Sequence, residues 1–344
     1  MPSVAERSPQ GSQGAVTIHD IAQAAGVSPS TVSRVLTGST PVAPAKREAV
    51  LDAVKRLNYQ PNAFARGRAK GQSHSIGVLT QEINREFYGD ILMGIEQALR
   101  GTDYHPVFAS GSVLAEGAQA QALVSRNRVD AVIVVGGRML EEELQALAER
   151  VPVVVLGRSV RGLESRCMQV DNFEGSYTAT RYLIGLGHER IAHITGIPGH
   201  RHTVERIEGY RRALADAGLP QDPDLVVNGV YEEASGYRAA EQLLDTGVEF
   251  TAIFAAADLM AMGARLALHR RGLAVPEAVS LVGFDDHRLA EYMIPPLTTV
   301  RQPRSEMGAA AVEAVLSVLC GETLSLPSFR VELIIRDSAG PRRA

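Results

Sequence analysis

Apolar positions recur along this chain with two different rhythms, and the change from one to the other divides it. From residue 17 to residue 57 the rhythm is helical. Ile18, Ile21, Ala22 and Ala25 make one apolar stripe, and Val32, Val35 and Leu36 make a second, each at the spacing of a single helix face. Thr17 is placed to N-cap the first helix, with Asp20 three residues on as a capping-box variant. Ser28 is placed to N-cap the second, with Pro29 at its first position. Gly26 lies between them and tolerates positive φ, which allows a sharp turn. After Pro41-Val-Ala-Pro44 the pattern predicts a third helix over residues 45–57, with Val50, Leu51, Val54 and Leu57 inward.

The helical rhythm stops at Asn58-Tyr59-Gln60-Pro61-Asn62, because a residue before proline is biased out of the helical region. Residues 63–75 read as a short basic connector carrying Arg66, Arg68 and Lys70. From Ser75 onward, continuous apolar runs at 76–79, 106–109, 131–135, 153–156, 191–194, 225–227, 251–255 and 279–284 predict strands. Amphipathic segments at 90–99, 141–148, 175–186, 205–217, 235–244 and 259–271 predict the helices between them. Unbroken apolar strands alternating with helices imply parallel sheets covered on both faces. A stretch of this length suits either one barrel or two open-sheet lobes.

Composition sharpens this division. The chain of 344 residues is 45% apolar and 22% charged, ordinary for a globular protein with a sizeable core. Its net charge of −4 hides an asymmetry: residues 1–74 hold 9 Lys/Arg against 4 Asp/Glu, leaving 26 against 35 for the rest. A basic N-terminal module on an acidic body fits nucleic-acid binding by one part only. Residues 1–15 are polar and read as a disordered tail rather than a signal or anchor. No run approaches the roughly 20 apolar residues that span a bilayer. The two cysteines, Cys167 and Cys320, lie far apart without CxxC spacing, which suits a reducing cytoplasm and argues against a zinc site.

Two helices meeting at a glycine turn make a helix-turn-helix, whose second helix is shaped for a DNA major groove. An ordinary αα-hairpin has the same outline. The exposed face favours the DNA reading, since Pro29, Ser30, Thr31, Ser33 and Arg34 are short or hydrogen-bonding with one long cation, where a solvated face would carry Glu and Lys. Arg paired bidentately with guanine discriminates by about 1–3 kcal/mol. Ser28, Pro29, Ser30, Thr31, Ser33 and Arg34 are therefore candidate DNA contacts, with Thr17 beside the backbone. Capping alone would also explain Thr17, and simple solvation Ser33.

An ordered set of motifs then resembles the LacI/GalR family of bacterial transcription repressors over essentially all of residues 16–336. It runs from Thr17 through Val27-Ser-Pro-Ser-Thr-Val-Ser-Arg-Val-Leu36 and Leu57-Asn-Tyr-Gln-Pro-Asn62 to Ile76-Gly-Val-Leu79, Phe87-Tyr88 and Gly94-Ile-Glu96. It continues with Val170-Asp-Asn172, Gly187-His-Glu-Arg-Ile191, Arg206-Ile-Glu-Gly-Tyr210, Asp258-Leu-Met-Ala-Met-Gly263, Val282-Gly-Phe-Asp-Asp286 and Pro296-Leu-Thr-Thr-Val-Arg-Gln-Pro303. The resemblance implies an all-α helix-turn-helix domain at 16–60 and a hinge at 61–74. It further implies an α/β body of periplasmic-binding-protein type at 75–338, made of two doubly wound parallel sheets. By analogy the first lobe takes about 75–172 and 303–330, the second about 173–302 and 331–338. It implies a cytoplasmic homodimer on double-stranded, inverted-repeat operator DNA, and the chain's end in Asp337-Ser-Ala-Gly-Pro-Arg-Arg-Ala, without heptads, favours a dimer over a tetramer.

Family members wedge an apolar hinge residue, usually Leu, into the minor groove. Asn62, Arg66 and Arg68 match that segment, but Arg68 stands where the Leu is expected. A guanidinium reads a narrow minor groove without intercalating, so contact is expected there and strong kinking is not.

Between the lobes the family binds a small molecule, often a sugar or nucleobase. Carried over on the motifs, Phe87 supplies an aromatic wall and Asn84 an amide, Arg158 and Arg206 donate to hydroxyls, Asp285 accepts from them, and Asp258 joins the same site. Lobe core is the other reading of Phe87, an ion pair that of Arg158, and a turn or cap that of Asp286. Many sugar-binding relatives carry Asn before the Asp258 motif, where this chain has Ala257, which leaves purine or anionic effectors open. A pure solute-binding protein explains the body but not the basic N-terminus. The chain holds no nucleophile motif, phosphate loop or HExxH, and His188, His200 and His202 read as solvated loop residues, so no enzyme, cofactor or metal is expected.

Overall fold

The computed structural model describes residues 16–38, 40–59, 72–81, 83, 86–110, 116–125, 128–137 and 139–343. They fall into two compact units, one ending at Ser73 and the other starting at His74.

The first unit holds helices α1 (Ile18–Ala25), α2 (Pro29–Thr37) and α3 (Pro44–Arg56). Its start signals work as the sequence suggests. The Thr17 N–H donates to the Asp20 carboxylate at 2.8 Å while the Asp20 N–H donates to the Thr17 hydroxyl at 3.4 Å. Gly26 adopts φ 62° and closes α1 in the left-handed region. Ile21, Ala22, Val32, Val50 and Ala53 form the core. The third helix departs from expectation, because Leu51 and Leu57 are exposed (45% and 36%) and Ala53 is buried. At 3.6 residues per turn, Val50, Ala53 and Val54 share one stripe, and the next residue after Val50 turns away from it.

The second unit carries two sheets. In the first, β1 (Ser75–Thr80), β2 (His105–Ser110), β3 (Ala131–Val135), β4 (Val153–Leu156) and β5 (Cys167–Met168) run parallel in the order β2-β1-β3-β4-β5. In the second, β6 (Ile191–Thr195), β7 (Val226–Asn228), β8 (Ala252–Ala255), β9 (Ser280–Asp285), β10 (Thr298–Arg301) and β11 (Glu332–Ile334) take the order β11-β10-β9-β8-β6-β7. All are parallel except β11, which pairs antiparallel with β10. The short β5, β10 and β11 escape a search for long apolar runs.

Helices α4 (Glu86–Leu99), α5 (Glu116–Ser125) and α6 (Glu141–Ala148) connect the first sheet, and α7 (Asn172–Gly185), α8 (Arg201–Asp216), α9 (Glu233–Asp245) and α10 (Asp258–Arg270) the second. A last helix, α11 (Arg304–Leu319), follows β10 but packs its Ala311, Val312 and Val315 into the core of the first sheet. It lies so close to α4 that a Cβ on Gly94 would strike the Ser305 carbonyl, and one on Gly308 the Ile91 carbonyl. The chain thus passes between the sheets after β5, after β10 and before β11.

Strands β1 and β6 each have neighbours on both sides whose connections run in opposite directions. Open α/β sheets bind ligands at such a switch point, beyond the carboxyl ends of the strands. This places the residues after β1, β4, β6, β8 and β9 where a ligand is expected.

Candidate functional site

The exposed face of α2 is built by its cap and its period. The Ser28 hydroxyl lies 2.8 Å from that of Ser30 and 2.9 Å from that of Thr31, and accepts the Thr31 N–H at 3.3 Å. These hydroxyls cluster at the helix N-terminus, where free N–H groups favour an anionic phosphate. Ser30, Ser33 and Arg34 follow at helical spacing and all three are exposed, opposite the buried Val32. Thr17 is exposed beside its capping box, and Pro29 and Thr31 are half-buried. The face is therefore polar, compact and uncluttered by carboxylates. Asn62, Arg66 and Arg68 lie outside the described residues, as does Asn84.

In the second unit Arg206 is the centre of the site. Only 4% exposed, it projects from α8. Its Nε donates to Asn172 Oδ1 at 2.9 Å and an Nη to the Ala256 carbonyl just past β8. The guanidinium stacks 3.6 Å over the Phe284 ring, and its other Nη is 3.8 Å from Asp285 Oδ1. Asp285 in turn accepts the Gln302 amide at 2.6 Å. Burial raises the Asp285 pKa above its ordinary value, against the pull of Arg206 and Arg304. This is a charged fork held at the switch point by five elements, with donor and acceptor side by side, the pairing that vicinal hydroxyls require.

Asp258 sits elsewhere in the same layer. It opens α10 wholly buried, and its two oxygens accept the Thr299 hydroxyl at 2.5 Å and the His287 N–H at 2.7 Å. Burial and the nearby Asp285 raise its pKa well above the usual carboxylate range. Its visible partners are the β9 turn and β10. Phe87, in the first turn of α4, is half-buried, with the Tyr88 ring edge-on at 5.4 Å. Arg158, two residues beyond β4, donates to the Met139 carbonyl at 2.6 Å. Arg206 and Asp285 are thus brought together, Asp258 lies behind them, and Phe87 and Arg158 belong to the opposite sheet.

Several contributors were not marked as such in the sequence. Asn172, Gln302 and Arg304 sit where the chain passes between sheets, and only the passage itself makes them neighbours of Arg206 and Asp285. His202 overturns the reading of a solvated loop residue. The first turn of α8 carries it inward, its ring reaches the Gly157 carbonyl after β4, and burial lowers its pKa. His188 is likewise buried, between Thr251, Ser280 and the Gly340 carbonyl. Asp286 is neither turn nor cap alone, since Arg301 and Arg336 each bind one of its oxygens at 2.7 Å. Among the described residues no group of three or more His, Cys, Asp or Glu is placed to hold a metal, and no helix is long and apolar enough to cross a membrane.

A capped helix-turn-helix followed by a two-sheet body with polar groups at its switch points defines a ligand-responsive DNA-binding regulator. Known proteins agree. Residues 17–62 match the family model described as bacterial regulatory proteins, lacI family, and residues 180–339 that of a periplasmic binding protein-like domain. Catabolite control protein A of Priestia megaterium is 34% identical over 313 residues, covering 90% of this chain and 94% of that protein. The HTH-type transcriptional regulator CelR of Thermobifida fusca is 36% identical over 332 residues, 94% of this chain and 98% of that protein. The solved lac repressor dimer bound to operator and the anti-inducer ONPF superposes with a TM-score of 0.85 at 28% identity, over 95% of this chain and 99% of that one. The chain belongs to the LacI family of transcriptional regulators, whose members matched here are regulators and not enzymes.

Proposed function

We propose that this protein is a cytoplasmic, homodimeric repressor of carbohydrate-utilisation genes that binds an inverted-repeat operator and is switched by a sugar between its two lobes. Residues 16–60 read the DNA, 61–74 form the hinge, and the two lobes take up the rest of the body. Thr17, Ser28, Pro29, Ser30, Thr31, Ser33 and Arg34 make the major-groove and backbone contacts. Asn62, Arg66 and Arg68 serve the hinge and minor groove. Asn84, Phe87, Arg158, Arg206 and Asp285 line the effector site, with Asp258 holding the turn behind Asp285.

The observation that carries this reading is the Arg206–Asp285 fork at a sheet switch point, in the same chain as a helix whose exposed stripe is Ser30, Ser33 and Arg34. A solved complex of the regulator CelR with cellobiose, 34% identical over 94% of this chain with a TM-score of 0.71, supports a sugar. Ala257, standing where many sugar-binding relatives carry Asn, favours a purine or an anionic metabolite as the second reading. Exposed Leu289, Tyr292 and Ile294, the last two at 71% and 84%, offer apolar surface to a second copy of the chain. The ligand acts by preferring one lobe arrangement, so it shifts the population competent to hold two half-sites.

Selection of bound sequences from a random duplex pool should return an inverted repeat, and its affinity should fall steeply with salt. A thermal-shift screen of cellobiose, galactose, ribose, gluconate, hypoxanthine and guanine should raise the melting temperature for a sugar. Recovery of no symmetric site sinks the operator reading, and stabilisation by a purine alone sinks the sugar.

A further inference from the structure

Arg304 opens α11 immediately after the chain has passed from the second sheet to the first, and it is only 6% exposed. Its guanidinium is divided between the lobes. Nε and Nη2 donate to Asp90 Oδ2 on α4, at 3.0 and 2.7 Å. Nη1 donates to the Asp285 carbonyl, and Nη2 also to the Asp286 carbonyl at 3.2 Å, both in the turn that ends β9. Two features make this more than a surface ion pair. Asp285 and Asp286 both hold positive φ, 115° and 50°. Asp tolerates the left-handed region that Asp286 occupies, but Asp285 lies outside it, a backbone that a non-glycine residue keeps only when its surroundings impose it. The helix bearing Arg304 is itself fixed against α4 through the close approaches at Gly94 and Gly308. The guanidinium therefore reaches out from a rigid first lobe to hold a strained turn in the second.

That turn carries the carboxylate of the fork. Asp285 is gripped at one end by Gln302 and Arg206 and at the other, through its carbonyl, by Arg304. A group that draws on the carboxylate moves the same residue that Arg304 holds.

We propose that Arg304 is an interlobe clasp, oriented by Asp90, that holds the lobes in the arrangement seen here through the Asp285–Asp286 turn. It is a positioning residue whose partners here are chain atoms, among them the Phe87 ring 5.8 Å from its guanidinium. Its influence on DNA binding rests on the regulator reading given above.

The test measures lobe separation directly in the full-length protein. With Cys167 replaced by Ser, single-molecule energy transfer is recorded between dyes on Cys320, exposed at the end of α11, and on Glu249→Cys in the second lobe. Doubly labelled chains are diluted into excess unlabelled protein. The unsubstituted clasp should give one dominant separation. Arg304→Gln should increase a wider population about tenfold or more, the effect of losing two charge-assisted hydrogen bonds. Arg304→Lys should rescue only in part, since an ammonium lacks the fork that spans both lobes. Asp90→Asn, at a position 41% exposed, should move the distribution the same way by less, and it decides the matter if Arg304→Gln does not fold. Identical distributions in folded Arg304→Gln and wild type, judged by matching circular dichroism, overturn the clasp. Loss of operator binding by the unsubstituted protein would instead strike the regulator reading, and the energy-transfer result stands apart from it.

Discussion

His193 makes the second lobe sensitive to mild acid. It lies in β6, wholly buried, between the Tyr210 and Phe254 rings with centroids 4.8 Å away on each side. Its Nδ1 is 2.9 Å from the Phe254 carbonyl, so that nitrogen carries the proton, and Nε2 has no hydrogen-bond partner among the described residues. Burial, reinforced by the Arg206 and Arg211 charges, lowers its pKa from 6.5 to about 4. A histidine with a depressed folded pKa contributes its full stability above pH 6.5. As pH falls toward 4 the unfolded chain takes up a proton that the native protein refuses, and stability is lost. At 1.36 kcal/mol per pH unit, a gap of this size is worth about 3 kcal/mol. His193→Asn keeps a donor near Nδ1 but does not titrate. Urea unfolding from pH 7.5 to 4.5 should therefore show wild type losing about 2.5 kcal/mol more than the variant over that range. Taking the difference between variants cancels the carboxylates common to both. Equal losses in the two proteins, or an imidazole resonance titrating near 6.5 in the native state, would refute the argument.

Three further outcomes follow from the same geometry. Arg34→Ala should reduce discrimination among operator variants by about 1–3 kcal/mol at its base position, measured by competition binding, while binding to unrelated duplex changes little; unchanged ranking of all variants would remove its base-reading role. Arg206→Ala strands Asp285 and the Ala256 carbonyl in a buried site, so the melting temperature should drop by roughly 10 °C and any sugar-induced stabilisation should vanish. A ligand shift that survives in that variant would take Arg206 out of the site. Gly308→Val forces a branched side chain against the Ile91 carbonyl, and scanning calorimetry should register about 1–3 kcal/mol or more of destabilisation; a neutral result would mean that α4 and α11 are free to move apart.

How the parts were legible differs from residue to residue. The helix-turn-helix could be read locally, because caps, a glycine turn and the 3.6-residue period all act within a few positions. Phe87, Arg158, Arg206 and Asp285 were marked by their place in motifs, yet nothing in those motifs told which of them touch. Arg206 meets Asp285 because its side chain lies over Phe284 of β9, at the end of a strand that comes 79 positions further along the chain. His188 and His202 were misread for a related reason: neighbouring Gly and Pro suggest a loop, while burial is decided by elements that arrive much later in sequence, such as the Gly340 carbonyl against His188. Leu51 is exposed and Ala53 buried because Val50, Ala53 and Val54 share one face of α3, and the residue after Val50 turns away from it.

The sequence by itself determined the two rhythms, the basic module on an acidic body, the turn chemistry of the reading helix and the family of the chain. These depend on short-range sterics and on patterns that repeat along one dimension. Tertiary structure alone decided what converges where the chain passes between its sheets: Arg206 with Asn172, Asp285 with Gln302, and one guanidinium shared by Asp90 and the β9 turn. Those contacts join residues up to 214 positions apart, and a hydrogen bond reaches only about 3 Å. No periodicity along the chain encodes which distant residues will come within that reach.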